Sequence, residues 1–108
     1  MRRGDVRWYA FAPPDKHRPV VVLTRNSAIS VLTSITVAPI TSNVRDIPTE
    51  VLLSPEEDGV STLSAVNLDN LQTVSKAKIG ALISVLSAER MMEVEQALAF
   101  ALGMPRQR

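Results

Sequence analysis

The sequence predicts a mainly β (α+β) domain, a small β-barrel that ends in one C-terminal helix. Short alternating or β-branched segments, separated by turn residues, run through most of the chain. Strands this short hide their edges most readily by closing into a barrel. One segment, Val20–Leu23, is continuous and rich in valine, which is typical of a strand buried on both faces. The one clear helical pattern comes last, after Ser87.

Seven segments show strand patterns. They are 4–11, 18–24, 35–41, 50–53, 63–68, 71–74 and 79–86. The last of them also fits a helix, because its Ala, Leu and Ile residues suit either structure. Residues 25–34 can form either a plain connection or a connection with a helical turn at 26–29. Residues 54–59 are predicted to form an exposed acidic turn.

The first strand alternates, with Val6, Trp8 and Ala10 on one face. We expect Trp8 in the core, and base stacking is the alternative for this side chain. In the second strand Pro19 stands at the start, where its missing N–H removes no central ladder bond. Arg18 therefore stands where a proline-stiffened loop, residues 12–16, meets a rigid strand.

One amphipathic helix is predicted after Ser87, a preferred N-cap residue, and Glu89 suits its first turn. Gly103 and Pro105 end it. Its apolar face holds Met91, Val94, Leu98, Ala101 and Leu102. We expect the methionines to fill the core or to contact a partner protein, because such residues adapt to irregular gaps.

Length and composition predict one domain without disulfide or thiolate chemistry. The chain has 108 residues, 45% of them hydrophobic, and no cysteine. We expect a single domain over residues 1–104 and a flexible basic tail over residues 105–108. His17 is the only histidine and the carboxylates are scattered, which excludes a zinc site of ordinary type.

The sequence predicts neither a secretory signal nor a membrane span. Asp5 and Arg7 stand where a signal peptide needs its apolar core. Serines, threonines and Pro39 interrupt the uncharged span 26–44, which argues against a membrane helix. We therefore expect a cytoplasmic protein.

Charge is distributed unevenly along the chain. Residues 1–45 carry seven basic and two acidic side chains, a net charge of +5, whereas residues 46–103 carry a net charge of −6. Arg106 and Arg108 in the tail bring the whole chain to +1. A basic half is typical of a protein that binds a polyanion such as nucleic acid, and the alternative is that these charges only solvate loops.

Polar residues stand at the predicted strand ends. They are His17, Arg18, Thr41, Ser42, Asn43, Asp69 and Asn70. In a small barrel such residues can converge at one rim as a site, and the alternative is that they are turn and cap residues. No phosphate-binding glycine loop, nucleophile elbow or metal motif accompanies them.

Three segments of the sequence, Arg3–Trp8, Arg18–Leu23 and Pro39–Asn43, resemble in this order the signature segments of the MazF/PemK/Kid toxin family. The serine-capped helix and the closing Leu-Gly are also similar to the family. The resemblance implies an SH3-like β-barrel of the CcdB/PemK type with a C-terminal helix, assembled as a homodimer.

The resemblance also implies a function, the toxin of a type II toxin–antitoxin system. Such a toxin is an endoribonuclease that cuts single-stranded RNA, mostly messenger RNA, at specific sequences and so inhibits translation and growth. It needs no metal and no cofactor, and it leaves 2′,3′-cyclic phosphate and 5′-hydroxyl ends. A cognate antitoxin, acidic and partly disordered, neutralises it.

Under this resemblance Arg18 and Thr41 are the catalytic residues, and Asp69 and Asn70 contact RNA. The planar guanidinium of Arg18 can hold two phosphate oxygens, and the Thr41 hydroxyl can donate to the charge that develops on phosphorus. We also expect His17 to contact RNA. Whether its imidazole transfers a proton stays open, because a surface loop residue is the alternative.

Two alternatives concern single residues. Arg18 can instead form a loop salt bridge with Asp15 or Asp69, and Asp69 and Asn70 can instead form a plain Asx turn. The chain departs from the family in its short loop before Arg18 and at Asn67, where some relatives place an arginine. These departures leave the base preference open.

Two other functions stay open beside the endoribonuclease. One is a CcdB-like toxin that binds DNA gyrase through the end of its C-terminal helix. The other is a non-catalytic barrel that binds nucleic acid or a partner protein.

Overall fold

The computed structural model describes residues 1–13 and 17–105 of the chain. These residues form seven strands and one long C-terminal helix. The elements are β1 Asp5–Ala10, β2 His17–Val22, α1 Asn26–Ile29, β3 Ser34–Thr41, β4 Glu50–Leu53, α2 Pro55–Asp58, β5 Ser64–Asn67, β6 Gln72–Ser75, a 3₁₀ turn at Lys76–Lys78, β7 Ile79–Val85 and α3 Ala88–Leu102. The proposed helical turn at 26–29 is therefore α1, and residues 79–85 form a strand.

Two sequence-based predictions fall on the remaining residues. Part of the proline-stiffened loop, including Asp15 as a partner for Arg18, and residues 106–108 of the basic tail 105–108 lie outside the described residues.

The strands form one antiparallel sheet in the order β4-β5-β3-β2-β1-β7. β6 pairs with the first half of β3, on the edge that β5 occupies further along. Between the described residues, β4 and β7 do not pair, so the predicted barrel is open. Helix α3 packs beside β4. The structure confirms the mainly β fold with its C-terminal helix.

Two hydrophobic clusters lie on the two faces of this sheet, and β2 contributes to both. Val21 belongs to the larger cluster, with Val94 of α3, whereas Val20 and Val22 belong to the smaller one, with Ile29 of α1. All three valines of β2 are fully buried. The prediction of a strand buried on both faces is confirmed, because successive side chains of a strand point to opposite faces.

Helix α3 begins and ends as its sequence predicts. The Ser87 side chain accepts a hydrogen bond from the backbone N–H of Arg90, and Gly103 ends the helix in the left-handed conformation. Met91 and Val94 are buried, and Leu98 and Ala101 pack against them. The placement of Leu102 on this face was wrong, because the last turn runs past the core and leaves the leucine exposed.

The acidic segment 54–59 differs from its prediction as an exposed turn. It forms the short helix α2, capped by Ser54 and closed by Gly59 in the left-handed conformation. Asp58 is buried because its carboxylate accepts hydrogen bonds from the backbone N–H of Ser54 and from the Arg90 side chain of α3. Long-range pairing thus overrides a local pattern that is typical of a solvated turn.

Trp8 was predicted to lie in the core, but this prediction was wrong, because 41% of the residue is exposed to solvent. Val6, two residues earlier on the same face, is fully buried. The burial therefore ends part-way along β1, where the strand runs past the hydrophobic cluster. Among the described helices, none combines the length and the apolar character that crossing a bilayer requires.

Candidate functional site

The site residues of β2 and β3 lie at the end of the sheet where β2 begins and β3 ends. Val20 pairs with Pro39 in the antiparallel register, so the strands bring Arg18 and Thr41 to the same rim. Both side chains line a cavity of about 240 Å³, which we call the Thr41 cavity. Its described lining is Phe11, Arg18, Pro39, Thr41, Asn67, Asn70 and Gln72.

Three amide side chains line the Thr41 cavity beside the catalytic candidates. Asn70 was expected there as an RNA contact. Asn67 was noted in the sequence only as a departure from a family pattern, and Gln72, the first residue of β6, carried no sequence signal. Amide groups donate and accept hydrogen bonds, so the cavity can recognise the edge of a base.

The half-buried Thr41 hydroxyl has a defined role in its own turn. Its oxygen accepts a hydrogen bond of 3.0 Å from the backbone N–H of Asn43. An oxygen that accepts from an amide directs its own proton elsewhere. The Thr41 hydroxyl can therefore donate a hydrogen bond to an anionic ligand at the rim.

Arg18 is exposed and lines a second, larger cleft of about 560 Å³, which we call the Trp8 cleft. Its described lining is Trp8, His17, Arg18, Pro19, Ile40, Ser42, Val60, Ser61, Thr62, Ser64 and Ile83. Ile40 and Thr41 are neighbours in β3, and neighbours in a strand point to opposite faces. The two cavities therefore lie on the two sides of the sheet rim, with Arg18 at both.

His17 lies on the Trp8 side of this rim. Its exposed side chain lines the Trp8 cleft and a neighbouring cavity that Trp8 and Gly80 also line. In the described lining of the Thr41 cavity it has no part. The structure thus brings His17 together with Arg18 but places it across the sheet from Thr41.

Asp69 is held by a contact within the fold. Its carboxylate accepts a hydrogen bond of 2.6 Å from the Thr49 hydroxyl, and its backbone N–H donates to the Asn67 side chain at 3.0 Å. The second bond closes an Asx turn headed by Asn67, two residues before the position at which the sequence suggested such a turn. Asp69 is absent from the described lining of the Thr41 cavity, whereas Asn70 is part of it.

A cluster of charges joins α3 to α2, and its residues are absent from the described linings of the Trp8 cleft and the Thr41 cavity. Hydrogen bonds from Arg90 to Asp58 raise the pKa of the Arg90 guanidinium, and the charges of Asp58, Glu93 and Glu57 add to this effect. Burial opposes it. The guanidinium therefore stays protonated at neutral pH and well above it. Within residues 1–13 and 17–105, no three His, Asp or Glu side chains converge as a metal-binding group.

Comparison with known proteins gives one family. The family model described as "PemK-like, MazF-like toxin of type II toxin-antitoxin system" matches residues 2–102. The chain is 39% identical over 104 residues to the "Probable endoribonuclease MazF5" of Mycobacterium tuberculosis, covering 96% of this chain and 94% of that protein. It is 43% identical over 89 residues to the "Endoribonuclease MazF3" of the same species, covering 82% of each.

A solved structure is similar over nearly the whole chain. It is described as "Endoribonuclease in complex with its cognate antitoxin from Mycobacterial species" and superimposes with a TM-score of 0.87 at 26% identity, covering 99% of each chain. The residues that the family model matches include every element from β1 to α3. The chain belongs to the family of PemK-like, MazF-like toxins of type II toxin–antitoxin systems.

Proposed function

We propose that this chain is the toxin of a type II toxin–antitoxin system and an endoribonuclease that cuts single-stranded RNA at the rim between β2 and β3. The observation that carries the proposal is the meeting of Arg18 and Thr41 at one cavity. Relatives of 39% and 43% identity are named endoribonucleases, which supports the same reaction here.

The proposed reaction uses the 2′-hydroxyl of the RNA as its nucleophile. The 2′-oxygen forms a bond to the adjacent phosphorus, and the bond from phosphorus to the 5′-oxygen of the next nucleotide breaks. The products are a 2′,3′-cyclic phosphate and a 5′-hydroxyl. One proton leaves the 2′-hydroxyl and one is delivered to the 5′-oxygen, and side chains or water can make both transfers without a metal or a cofactor.

Arg18 and Thr41 stabilise the negative charge that develops on the phosphorane. The guanidinium of Arg18 holds two phosphoryl oxygens and stays charged throughout, and the Thr41 hydroxyl donates a further hydrogen bond. His17 lies at the same rim and is the candidate for one of the two proton transfers. A single imidazole cannot act as acid and base at once, so the other transfer uses a different group or water.

The partners follow from the same proposal. We infer a homodimer and a cognate antitoxin whose acidic, partly disordered segment covers the RNA site. A solved relative in complex with its antitoxin supports this partner, and so does the net charge of +5 over residues 1–45. The substrate is messenger RNA in the cytoplasm, and its loss stops translation and growth.

The test is RNA cleavage in the presence of EDTA. We would incubate the wild type, Arg18→Ala and Arg25→Ala with a long single-stranded RNA of mixed sequence and map the new 5′ ends by primer extension. Arg25 is the matched control, because it is exposed in the same basic half and lies outside the described lining of both cavities.

We expect discrete cuts, with cyclic phosphate on the upstream fragments, from the wild type and from Arg25→Ala but not from Arg18→Ala. No cuts by a folded wild-type dimer would overturn the proposal in favour of gyrase binding or of a non-catalytic barrel. Equal cutting by Arg18→Ala would refute the role of this arginine.

A further inference from the structure

The Trp8 cleft shares Arg18 with the Thr41 cavity but does not contain Thr41, and it is the larger of these two cavities. Its volume of about 560 Å³ lies within the range of small-molecule sites. Apolar side chains, with Trp8 among them, line it together with Arg18 and His17. Four hydroxyl side chains also line it, and three of these, Ser42, Ser61 and Thr62, are exposed. A mixed lining of this kind suits a flat heteroaromatic ring with polar edges.

Trp8 is presented to this cleft by a rigid strand. It pairs with Pro19 of β2, and the register of β1 against β7 shifts on the other side, between Arg7 and Tyr9. Such a β-bulge re-aims side chains, and Gly80 of β7 comes so close that a Cβ there would lie 3.3 Å from the Trp8 carbonyl oxygen. The backbone under the indole is therefore closely held, while 41% of the residue is open to solvent.

The cleavage reaction requires the two nucleotides on either side of the phosphate at Arg18 to separate. Attack by a 2′-oxygen needs that oxygen, the phosphorus and the leaving 5′-oxygen in line, a geometry that stacked A-form nucleotides do not have. The two nucleotides on either side of the phosphate must therefore unstack. Arg18 lines both cavities, so a phosphate held by it leaves one nucleotide free to enter each side of the rim.

We propose that the Trp8 cleft holds the unstacked base of one of the two nucleotides that flank the cleaved phosphate, with its face on the Trp8 indole. The inference rests on the proposed function and adds a binding residue to it. An aromatic side chain on a sheet stacks on bases of any sequence, which is how proteins commonly hold single-stranded RNA.

The two cavities then differ in how strictly they select the base that they bind. Hydroxyl groups donate or accept as required, so the Trp8 cleft accepts different bases. The amides of Asn67, Asn70 and Gln72 present fixed donors and acceptors in the Thr41 cavity. Sequence preference is therefore strongest at the nucleotide on the Thr41 side and weakest at the nucleotide that stacks on Trp8.

The test uses the fluorescence of Trp8, which is the only tryptophan of the chain. The ligand is a short RNA that contains the mapped cut site and carries a 2′-deoxy sugar at the attacking nucleotide, so that it binds without being cut. Two further ligands lack the base on one or the other side of the phosphate. We expect the intact ligand to quench the fluorescence, and one of the two abasic ligands to lose the quenching and to bind about tenfold more weakly.

Variants connect this loss to the indole itself. Trp8→Ala should bind the intact ligand about tenfold more weakly and should no longer distinguish it from the sensitive abasic ligand, whereas Trp8→Phe should retain most of the affinity. Phe100→Ala is the control, because Phe100 is an exposed aromatic residue that lines a different groove. It should behave as the wild type.

The outcomes separate the two proposals. A wild type that cuts RNA, but binds both abasic ligands with the quenching and affinity of the intact one, overturns the Trp8 cleft alone. The same holds if Trp8→Ala still distinguishes the abasic ligands. A folded wild type that cuts no RNA overturns the proposed function before these ligands can be designed. The measurement on the wild type stands even if Trp8→Ala does not fold.

Discussion

Two arginines of this chain stand near the start of an element, Arg18 in β2 and Arg90 in α3, and their surroundings in the fold differ. Arg90 reaches from α3 to α2 and donates to both carboxylate oxygens of Asp58, at 2.9 and 3.2 Å, as well as to Glu57 and Glu93. Only 15% of its side chain is exposed. Arg18 is exposed at the rim of the sheet and lines two open cavities.

The difference lies in how far each guanidinium is exposed to solvent. Carboxylates of the fold occupy the donors of Arg90, so its charge stabilises the packing of α3 on α2. At the rim, Arg18 is placed by a strand whose continuation, Val20 to Val22, is fully buried. A rigid strand that ends in an accessible charge is suited to binding a phosphate. The predictions below separate a structural charge from a functional one.

The largest effect is expected for Arg18→Ala, which should lower kcat/KM for RNA cleavage about a thousandfold, equivalent to ~4 kcal/mol. The free energy of unfolding in urea should change by less than about 0.5 kcal/mol, because the side chain is exposed. Arg18→Lys keeps the charge but not the planar fork, so its kcat/KM should lie between those of the wild type and Arg18→Ala. A large loss of stability in Arg18→Ala would contradict the functional reading.

Arg90→Met should show the opposite profile. Removing the guanidinium leaves Asp58 buried without its charged partner, which should lower the free energy of unfolding by about 3 kcal/mol. Cleavage per folded molecule should stay as in the wild type. Glu95→Gln is the control on the same helix, because its ion pair with Arg3 is exposed and should contribute less than about 0.5 kcal/mol. Similar losses in both variants would argue against a structural role specific to Arg90.

Thr41 tests whether a single hydroxyl matters at the rim. Thr41→Val removes the hydrogen-bond donor with little change of shape and should lower kcat about a hundredfold, equivalent to ~2.7 kcal/mol. Thr41→Ser retains the hydroxyl and should keep most of the activity. Single-turnover rates under saturating enzyme measure the step directly. If the serine variant is as slow as the valine variant, the hydroxyl is not the group that acts.

The smallest effects should separate Asp69 from Asn70, which the sequence predicts together as RNA contacts. Asp69→Ala breaks the hydrogen bond to Thr49 and should lower the free energy of unfolding by ~1 kcal/mol, with cleavage changed less than about twofold. Asn70→Ala should leave stability unchanged and alter the relative rates at different cut sites. Sequencing the cut ends of a mixed RNA pool measures this directly, and a change of site preference in Asp69→Ala would restore its predicted role.

The elements that the sequence predicts well are those whose signals are local. The valine run of β2 is buried on both faces, and Ser87 and Gly103 bound α3. The sequence also predicts five to seven short strands followed by a helix, and the structure has seven. Each of these depends on side-chain spacing, capping or branching within a few residues, which a sequence displays directly.

The predictions that were wrong concern burial, which depends on elements that are distant in the chain. Asp58 was expected to be exposed and is buried, because its partner Arg90 lies in another element. Trp8 was expected in the core and is open, because hydrophobic cover ends part-way along β1. An alternation pattern tells which face a residue takes but not how far along the strand that face stays covered.

For the site, the sequence by itself determined that Arg18 and Thr41 stand at the ends of strands, and its resemblance to a toxin family indicated their use. Only the tertiary structure decided that they line one cavity with Asn67, Asn70 and Gln72, that His17 lies across the sheet from Thr41, and that Asp69 bonds to Thr49. The physical reason is that strand register and the pairing of distant strands, rather than nearness in the chain, set which side chains share a face of the rim.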